Sequence, residues 1–224
     1  MKKVKPVIAL WLVFLLSTFY AQKETRFSPN PHRFDNAISV FKNWDDKNSF
    51  PANAVLFVGS SSIRMWKTQK YFPRLKVINR GFGGSHISDV IYFFDDVVKK
   101  YKPAKIVFYC GDNDIAAGKT PERVYSDFKR FVKMVEDSVG KIDLIFIPIK
   151  PSINRWKFWT EMNKANMMIK EFIDMKENLF YADIVKPMLK PNGIPQKEIF
   201  LEDGLHLNNK GYKIWTTVLE KYLR

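Results

Sequence analysis

Five short apolar runs, each the length of one β-strand, alternate along this chain with longer segments of helical periodicity. The strand-like runs cover residues 54–58, 75–79, 105–110, 142–149 and 179–184. The helical patterns cover residues 35–48, 88–101, 121–139, 158–176 and 210–223. Strands separated by helices join through right-handed crossovers, which give a parallel sheet with helices on both faces. We therefore predict an α/β fold in three layers, α/β/α, around a mainly parallel sheet of about five strands.

Glycines and polar side chains closely follow three of these runs. The segments are 59–62, 81–86 and 111–114, which read Gly-Ser-Ser-Ser, Gly-Phe-Gly-Gly-Ser-His and Gly-Asp-Asn-Asp. Ligands of parallel sheets bind beyond the carboxyl ends of the strands, so the three segments are expected to meet at one edge. The glycines of segment 81–86 also fit a plain tight turn. Their spacing matches neither the dinucleotide fingerprint nor the phosphate loop of nucleotide-binding proteins.

A fourth segment, Asp203-Gly204-Leu205-His206, offers a base for a serine nucleophile. Serine is a weak nucleophile, and a base must accept its proton during attack. An aspartate three residues before a histidine can bind the second ring nitrogen and hold the working tautomer. On its own this spacing also fits an ordinary turn at the entry of a helix. His32 lies in a proline-rich segment before the sheet, and His86 is placed to line the cleft, so His206 is the preferred base.

Together these segments resemble the SGNH hydrolases, also called GDSL-type esterases and lipases. The four blocks occur in the family's order: Gly59-Ser60-Ser61, Asn79-Arg80-Gly81-Phe82-Gly83-Gly84, Gly111-Asp112-Asn113-Asp114 and Asp203-Gly204-Leu205-His206. The resemblance implies that Ser61 is the nucleophile, with Asp203 and His206 completing the catalytic set. It also implies an oxyanion hole formed by the backbone of Ser61 and Gly84 and the side chain of Asn113.

The resemblance extends from about residue 54 to the C-terminus and implies the flavodoxin-like fold of the SGNH family, without metal or cofactor. The chain departs from the pattern at Ser60, where the family usually has aspartate. That aspartate is not one of the catalytic residues, so the change should not abolish catalysis. It does leave three adjacent serines, and the choice of Ser61 over Ser60 and Ser62 depends on the register from Gly59.

A loop after the fourth strand-like run is a candidate for substrate binding. Arg155 and Trp156 are expected at the same rim, where they would grip a carboxylate or stack on a sugar ring. The alternative is that Trp156 and Trp159 pack the loop onto the domain while Arg155 pairs with an acid. The predicted function is an exported serine ester hydrolase that cleaves small, acetyl-like esters, with a carbohydrate ester as the first choice of substrate. The alternatives are a lysophospholipase or thioesterase, and a catalytically silent carbohydrate- or lipid-binding protein.

The N-terminus has the layout of a secretory signal peptide. Three lysines precede an uncharged, mostly apolar stretch over residues 6–20, which is short for a membrane span. We predict a signal peptide at 1–21, an N-terminal helical segment at 22–50 packed on the domain, and an SGNH hydrolase domain at 51–224. The mature protein is then secreted or periplasmic, without stable membrane insertion.

Charge and cysteine content restrict the function classes. The formal net charge of +14 falls to +11 without residues 1–21, but the lysines are scattered and form no nucleic-acid-binding pattern. No nucleic-acid partner is therefore expected, and small-molecule or glycan esters remain the preferred substrates. The single cysteine, Cys110, is read as a buried apolar residue. The three histidines show no paired metal-ligand spacing, so no metal site is expected.

Overall fold

A computed structural model describes residues 29–224 and contains the predicted parallel sheet. The strands are β1 (Val55–Gly59), β2 (Val77–Gly81), β3 (Lys105–Tyr109), β4 (Asp143–Phe146) and β5 (Leu179–Tyr181). They lie in the order β2-β1-β3-β4-β5, and every neighbouring pair is parallel. The predicted α/β fold with a sheet of about five strands is confirmed.

Ten α-helices connect and cover the strands in the described part of the chain. They are α1 (Asp35–Lys47), α2 (Ser61–Arg64), α3 (Thr68–Tyr71), α4 (Ile87–Tyr92), α5 (Phe94–Val97), α6 (Asp112–Ala116), α7 (Pro121–Ser138), α8 (Trp159–Asp174), α9 (Val185–Met188) and α10 (Asn209–Leu223). Short 3₁₀ turns occupy Pro31–Phe34, Lys99–Tyr101, Trp156–Phe158 and Lys197–Ile199. None of the helices within 29–224 is both long and apolar enough to cross a membrane.

The two faces of the sheet carry separate apolar cores. Alternate residues of β1 supply both: Leu56 and Val58 join one core, and Val55 and Phe57 join the other. Helices α1, α4, α5, α7 and α8 pack against the first face, and α2, α9 and α10 pack against the second. The sheet is therefore covered on both sides, which leaves the carboxyl ends of its strands as the open edge.

The predicted helix at 88–101 is wrong as a single element. The structure has three short pieces there, α4, α5 and the 3₁₀ turn Lys99–Tyr101. Val90, Phe93, Phe94, Val97 and Val98 are all buried. Their spacing is that of one helical face, so the apolar pattern predicts a continuous helix and does not indicate the two breaks.

The fourth strand is shorter than the apolar run 142–149 because a side chain takes over its backbone pairing. Beyond Phe146, the buried Asn166 on α8 accepts from the Ile149 amide at 2.7 Å and donates to the Ile149 carbonyl at 2.9 Å. This exchange satisfies the backbone without a neighbouring strand. It also turns the chain so that Lys150 and the loop after it lie at the open edge.

The N-terminal helix α1 contacts the body of the protein through both apolar and charged side chains. Ile38 is buried in the core, and Arg80 on β2 pairs with Asp45 at 2.6 Å. The Tyr101 hydroxyl donates to the second oxygen of Asp45 at 2.5 Å. The predicted signal peptide at 1–21 lies outside the described residues. The division of the chain at 21 and 50 therefore remains a prediction.

Candidate active site

Ser61, His206 and Asp203 form a hydrogen-bonded chain at the open edge of the sheet. The Ser61 Oγ lies 3.0 Å from Nε2 of His206, and Nδ1 of His206 lies 2.5 Å from Oδ2 of Asp203. With Nδ1 protonated and donating to the carboxylate, Nε2 is free to accept the serine proton. General-base activation of a serine requires this arrangement.

The backbone at Gly59 explains how the serine comes to face the histidine. Gly59 has φ +138°, and a Cβ built there would lie 1.8 Å from the Tyr109 carbonyl oxygen on β3. Only glycine lets β1 stay against β3 and turn abruptly at this point. Ser60 is extended and buried, and Ser61 then begins α2. Of the three adjacent serines, Ser61 is the one that contacts His206.

A tight turn built by Asp203 holds the histidine in place. Oδ1 of Asp203 accepts from the backbone N–H groups of Leu205 and His206, both at 2.9 Å, while Oδ2 binds the imidazole. Burial works to raise the pKa of Asp203, but the hydrogen bonds from His206 and Leu205 outweigh it and lower the pKa to about 2. The carboxylate is therefore ionised at neutral pH and favours a proton on Nδ1.

The glycine loop and the Asn113 side chain lie beside this chain. The Phe82 amide donates to the Gly59 carbonyl at 2.9 Å, which joins the glycine loop to the loop that carries Ser61. The Asn113 Nδ2 donates to the Ser85 carbonyl at 3.0 Å, next to Gly84 in the sequence. Gly84 is exposed, with φ +84°. The residues that the family resemblance assigns to an oxyanion hole therefore belong to loops that contact one another at one edge.

Arg155 lies at this edge, with its guanidinium bound to protein groups. Nη1 contacts Oδ2 of Asp112 at 3.1 Å, and Nη2 donates to Oδ1 of Asn113 at 2.9 Å. The buried Lys150 contacts the same Asp112 oxygen at 3.2 Å and the Tyr109 hydroxyl at 3.0 Å. Burial works to raise the pKa of Asp112, but the charges of Lys150 and Arg155 outweigh it and hold the pKa below its usual value.

The tryptophans of the predicted substrate loop pack on each other. The rings of Trp156 and Trp159 are nearly parallel, with centroids 5.7 Å apart and an interplanar angle of 11°. Both side chains are half-buried. Each indole therefore uses one face for packing inside the protein, in line with the packing alternative. The surface of Trp156 that stays exposed belongs to the residue directly after Arg155.

His86, the other histidine expected near the cleft, is buried behind the glycine loop. Its Nδ1 lies 3.8 Å from Oδ1 of Asp114 and makes no hydrogen bond within the described residues. Burial, together with the charges of Lys119 and Arg33, lowers the pKa of His86 to about 3. The ring is neutral at physiological pH and does not contact Ser61. Within 29–224, no group of three or more His, Cys, Asp or Glu side chains is arranged to hold a metal ion.

Three residues at the site were not singled out from the sequence: Lys150, Asp112 and Asn154. The sequence did contain a signal for Lys150, because a lysine directly after a buried apolar run cannot serve as a core residue and so indicates a polar role. Asp112 lies in the same block as Asn113, but the identity of its partners depends on a contact across 38 residues. Asn154 gave no signal in the sequence; its side chain donates to the Asp203 carbonyl at 3.2 Å.

Comparison with known proteins gives one family and a set of solved structures with the same fold. The model of the GDSL-like lipase/acylhydrolase family matches residues 61–214. No protein of curated function matches the chain by sequence. A Streptococcus pneumonia protein solved as a candidate platelet activating factor superposes with a TM-score of 0.75 at 17% identity, covering 96% of this chain and 99% of that one.

Two further solved structures share the fold at low sequence identity. A GDSL-like lipase from Bacteroides thetaiotaomicron has a TM-score of 0.69 at 16% identity, covering 87% of this chain and 97% of its own. An acetylxylan esterase from Geobacillus stearothermophilus has a TM-score of 0.62 at 13% identity, covering 79% of this chain and 96% of its own. At these sequence identities the comparison shows a shared fold and no more than that.

Proposed function

Because the chain belongs to the GDSL-like lipase/acylhydrolase family, we propose that it is an exported serine ester hydrolase that removes small acyl groups, acetyl above all, from carbohydrate. The observation that carries the proposal is the hydrogen-bonded chain from Ser61 through His206 to Asp203. The layout of residues 1–21 supports export, and the hydrolase then acts outside the cytoplasm.

In the proposed reaction, Ser61 Oγ attacks the ester carbonyl carbon while its proton passes to Nε2 of His206. The carbonyl π electrons move to the oxygen, and the N–H groups of the Ser61 and Gly84 backbones and the Asn113 amide stabilise that oxyanion. Collapse of the tetrahedral intermediate breaks the ester C–O bond, and the leaving alcohol takes the proton from His206. Water then attacks the acyl-enzyme with His206 as base, which releases the carboxylic acid and restores Ser61.

The choice of a small acyl group on carbohydrate has two supports. A fold relative acts on acetylxylan, and the Trp156–Trp159 pair gives the rim of the site an aromatic surface of the kind that packs against sugar rings. The surviving net charge of +11 would also favour substrates that carry acidic groups.

The experiment that tests this proposal compares acyl chain length and alcohol in one series. We expect kcat/KM to be highest for p-nitrophenyl acetate and to fall through the butyrate and octanoate esters. Acetylated xylooligosaccharide should be deacetylated, and lysophosphatidylcholine should not be hydrolysed. A kcat/KM that rises toward octanoate, or turnover confined to lysophospholipid or acyl thioester, would replace the acetyl-ester proposal with the corresponding alternative. Absence of any hydrolysis and of fluorophosphonate labelling would leave a binding protein with a hydrolase fold.

A further inference from the structure

The position of Arg155 is better explained by the Asn113 amide than by a substrate. Both contacts of its guanidinium are to protein acceptors, Oδ2 of Asp112 at 3.1 Å and Oδ1 of Asn113 at 2.9 Å. Its side chain is only 16% exposed. Nη2 makes the hydrogen bond to Asn113, whereas Nη1 is buried and meets Asp112 as an ion pair without a well-directed hydrogen bond, so the guanidinium faces the protein.

Arginine only donates hydrogen bonds, and this property fixes the orientation of the Asn113 amide. The Asn113 oxygen must face Arg155, so the NH₂ group faces the opposite way, where one hydrogen is donated to the Ser85 carbonyl at 3.0 Å. A flipped amide would set NH₂ against the guanidinium and oxygen against a carbonyl, which costs two hydrogen bonds at once. The second N–H of the amide remains for an oxyanion.

Buried charges hold Arg155 in place from behind. Asp112 is 3% exposed at its side chain and also binds the buried ammonium of Lys150 at 3.2 Å. Arg155 donates to the Asn113 oxygen at 2.9 Å, so its positive charge lies directly against the amide. Because the surroundings are buried, that charge is screened much less than a surface charge would be, and it strengthens the amide as a donor to an anion.

The loop that carries Arg155 also grips the histidine turn. The Asn154 amide donates to the Gly204 carbonyl at 3.1 Å, and the Asn154 side chain donates to the Asp203 carbonyl at 3.2 Å. Adjacent residues of one loop thus contact the segment that holds the base and the side chain assigned to the oxyanion hole. Through these two adjacent residues, the loop connects the Asp203–His206 turn with Asn113.

We propose that Arg155 is a positioning residue that fixes the Asn113 amide as an oxyanion donor and polarises it, rather than a substrate-binding residue. This inference rests on the proposed ester hydrolysis. Its consequence is that the contribution of Arg155 to the rate passes through Asn113 and disappears when that amide is absent.

A double-mutant cycle on p-nitrophenyl acetate tests this dependence, because that substrate offers no carboxylate to an arginine. We expect Asn113→Ala to lower kcat on the order of 10²-fold, as removal of one oxyanion donor does. Arg155→Met should lower kcat about 10- to 100-fold with KM changed little. In the Asn113→Ala background, Arg155→Met should change kcat by less than about threefold, since residues that act as one unit are not additive.

Controls separate positioning from damage to the fold. Arg155→Lys offers one compact donor in place of the fork, so its kcat should lie between wild type and Arg155→Met. This variant also keeps the positive charge if Arg155→Met fails to fold. Arg74→Met, at an exposed position before the amino end of β2 and so at the opposite end of that strand from the site, should leave kcat unchanged. Thermal unfolding of each variant should show a folded protein.

Two results would overturn the inference. One is an additive cycle, in which Arg155→Met costs the same factor with and without Asn113. The other is a raised KM at unchanged kcat, which would make Arg155 a substrate-binding residue. If wild type neither hydrolyses the ester nor reacts with a fluorophosphonate, the proposed function itself fails. An active wild type with an additive cycle removes only the role of Arg155.

Discussion

Replacing Asp203 by asparagine tests the proposed acid–base chain with almost no change of shape. Asp203 makes three hydrogen bonds through two oxygens: Oδ1 serves the Leu205 and His206 amides, and Oδ2 serves the His206 ring. The Asn oxygen keeps the two backbone bonds, so the turn should survive. The new NH₂ faces Nδ1, which forces Nδ1 to become an acceptor and moves the ring proton to Nε2.

That tautomer donates toward Ser61 and cannot accept its proton. In a serine protease with the same hydrogen-bonding logic, the equivalent exchange costs about 10⁴-fold in kcat. We expect a loss of that order here, equal to about 5 kcal/mol of transition-state stabilisation. Because the turn is kept and Asp203 is 44% exposed, the free energy of unfolding should change by no more than about 1 kcal/mol.

The assay is kcat for p-nitrophenyl acetate, corrected for buffer hydrolysis, beside urea unfolding of the same preparations. Asp203→Ala serves as the matched variant, since it loses the ring contact and the turn together and should be both inactive and less stable. If Asp203→Asn keeps more than about a tenth of wild-type kcat while folded, Asp203 does not orient the base and the chain from Ser61 to Asp203 is not the catalytic unit.

Three further predictions concern stability. Gly59→Ala should prevent stable folding, because the new Cβ would overlap the Tyr109 carbonyl. At Gly84 a new Cβ would have no atom within 4 Å, so Gly84→Ala should cost only about 1–3 kcal/mol of backbone strain at φ +84°. Equal urea midpoints for the two variants would contradict this. Phe128→Ala should cost about 3–5 kcal/mol by urea unfolding, because the ring is fully buried, and a loss below about 1 kcal/mol would contradict the packing. His86 has a pKa of about 3 in the folded protein, below its value in the unfolded chain, so on acidification the unfolded chain binds a proton that the folded protein does not. The contribution of His86 to the free energy of unfolding is therefore full above about pH 6.5 and is lost as the pH falls, by about 2–3 kcal/mol at pH 4.5. His86→Gln should remove that part of the pH dependence, and an unchanged slope would refute the assignment.

The sheet could be predicted from sequence because its signals are local. The central strands are buried apolar runs followed closely by glycine, as in Val55–Gly59 and Lys105–Tyr109, and the connecting lengths leave only crossovers. The boundaries depended on tertiary contacts that the pattern does not carry. Asn166 on α8, 17 residues after Ile149, takes over the pairing of Ile149 and ends β4 early.

The candidate site divides in the same way. Asp203 and His206 are three residues apart, and in one short turn the Asp203 carboxylate binds both the backbone amide and the ring of His206. Their spacing in the sequence therefore sufficed to predict the pair. The orientation of Arg155 could not be read, because its acceptors lie about 40 residues earlier and the sequence offers many acids at that range. The alternative that Arg155 pairs with an acid describes its observed contact with Asp112.

The most direct test of the central claim is to locate the adduct that a fluorophosphonate leaves on the protein. Peptide mass spectrometry resolves the three adjacent serines, and only the Ser61 hydroxyl is hydrogen-bonded to His206. We predict one phosphonylated residue, Ser61, with labelling abolished in Ser61→Ala and slowed at least about 10³-fold in His206→Ala. An adduct on Ser60 or Ser62, or no adduct on the folded protein, would contradict the account.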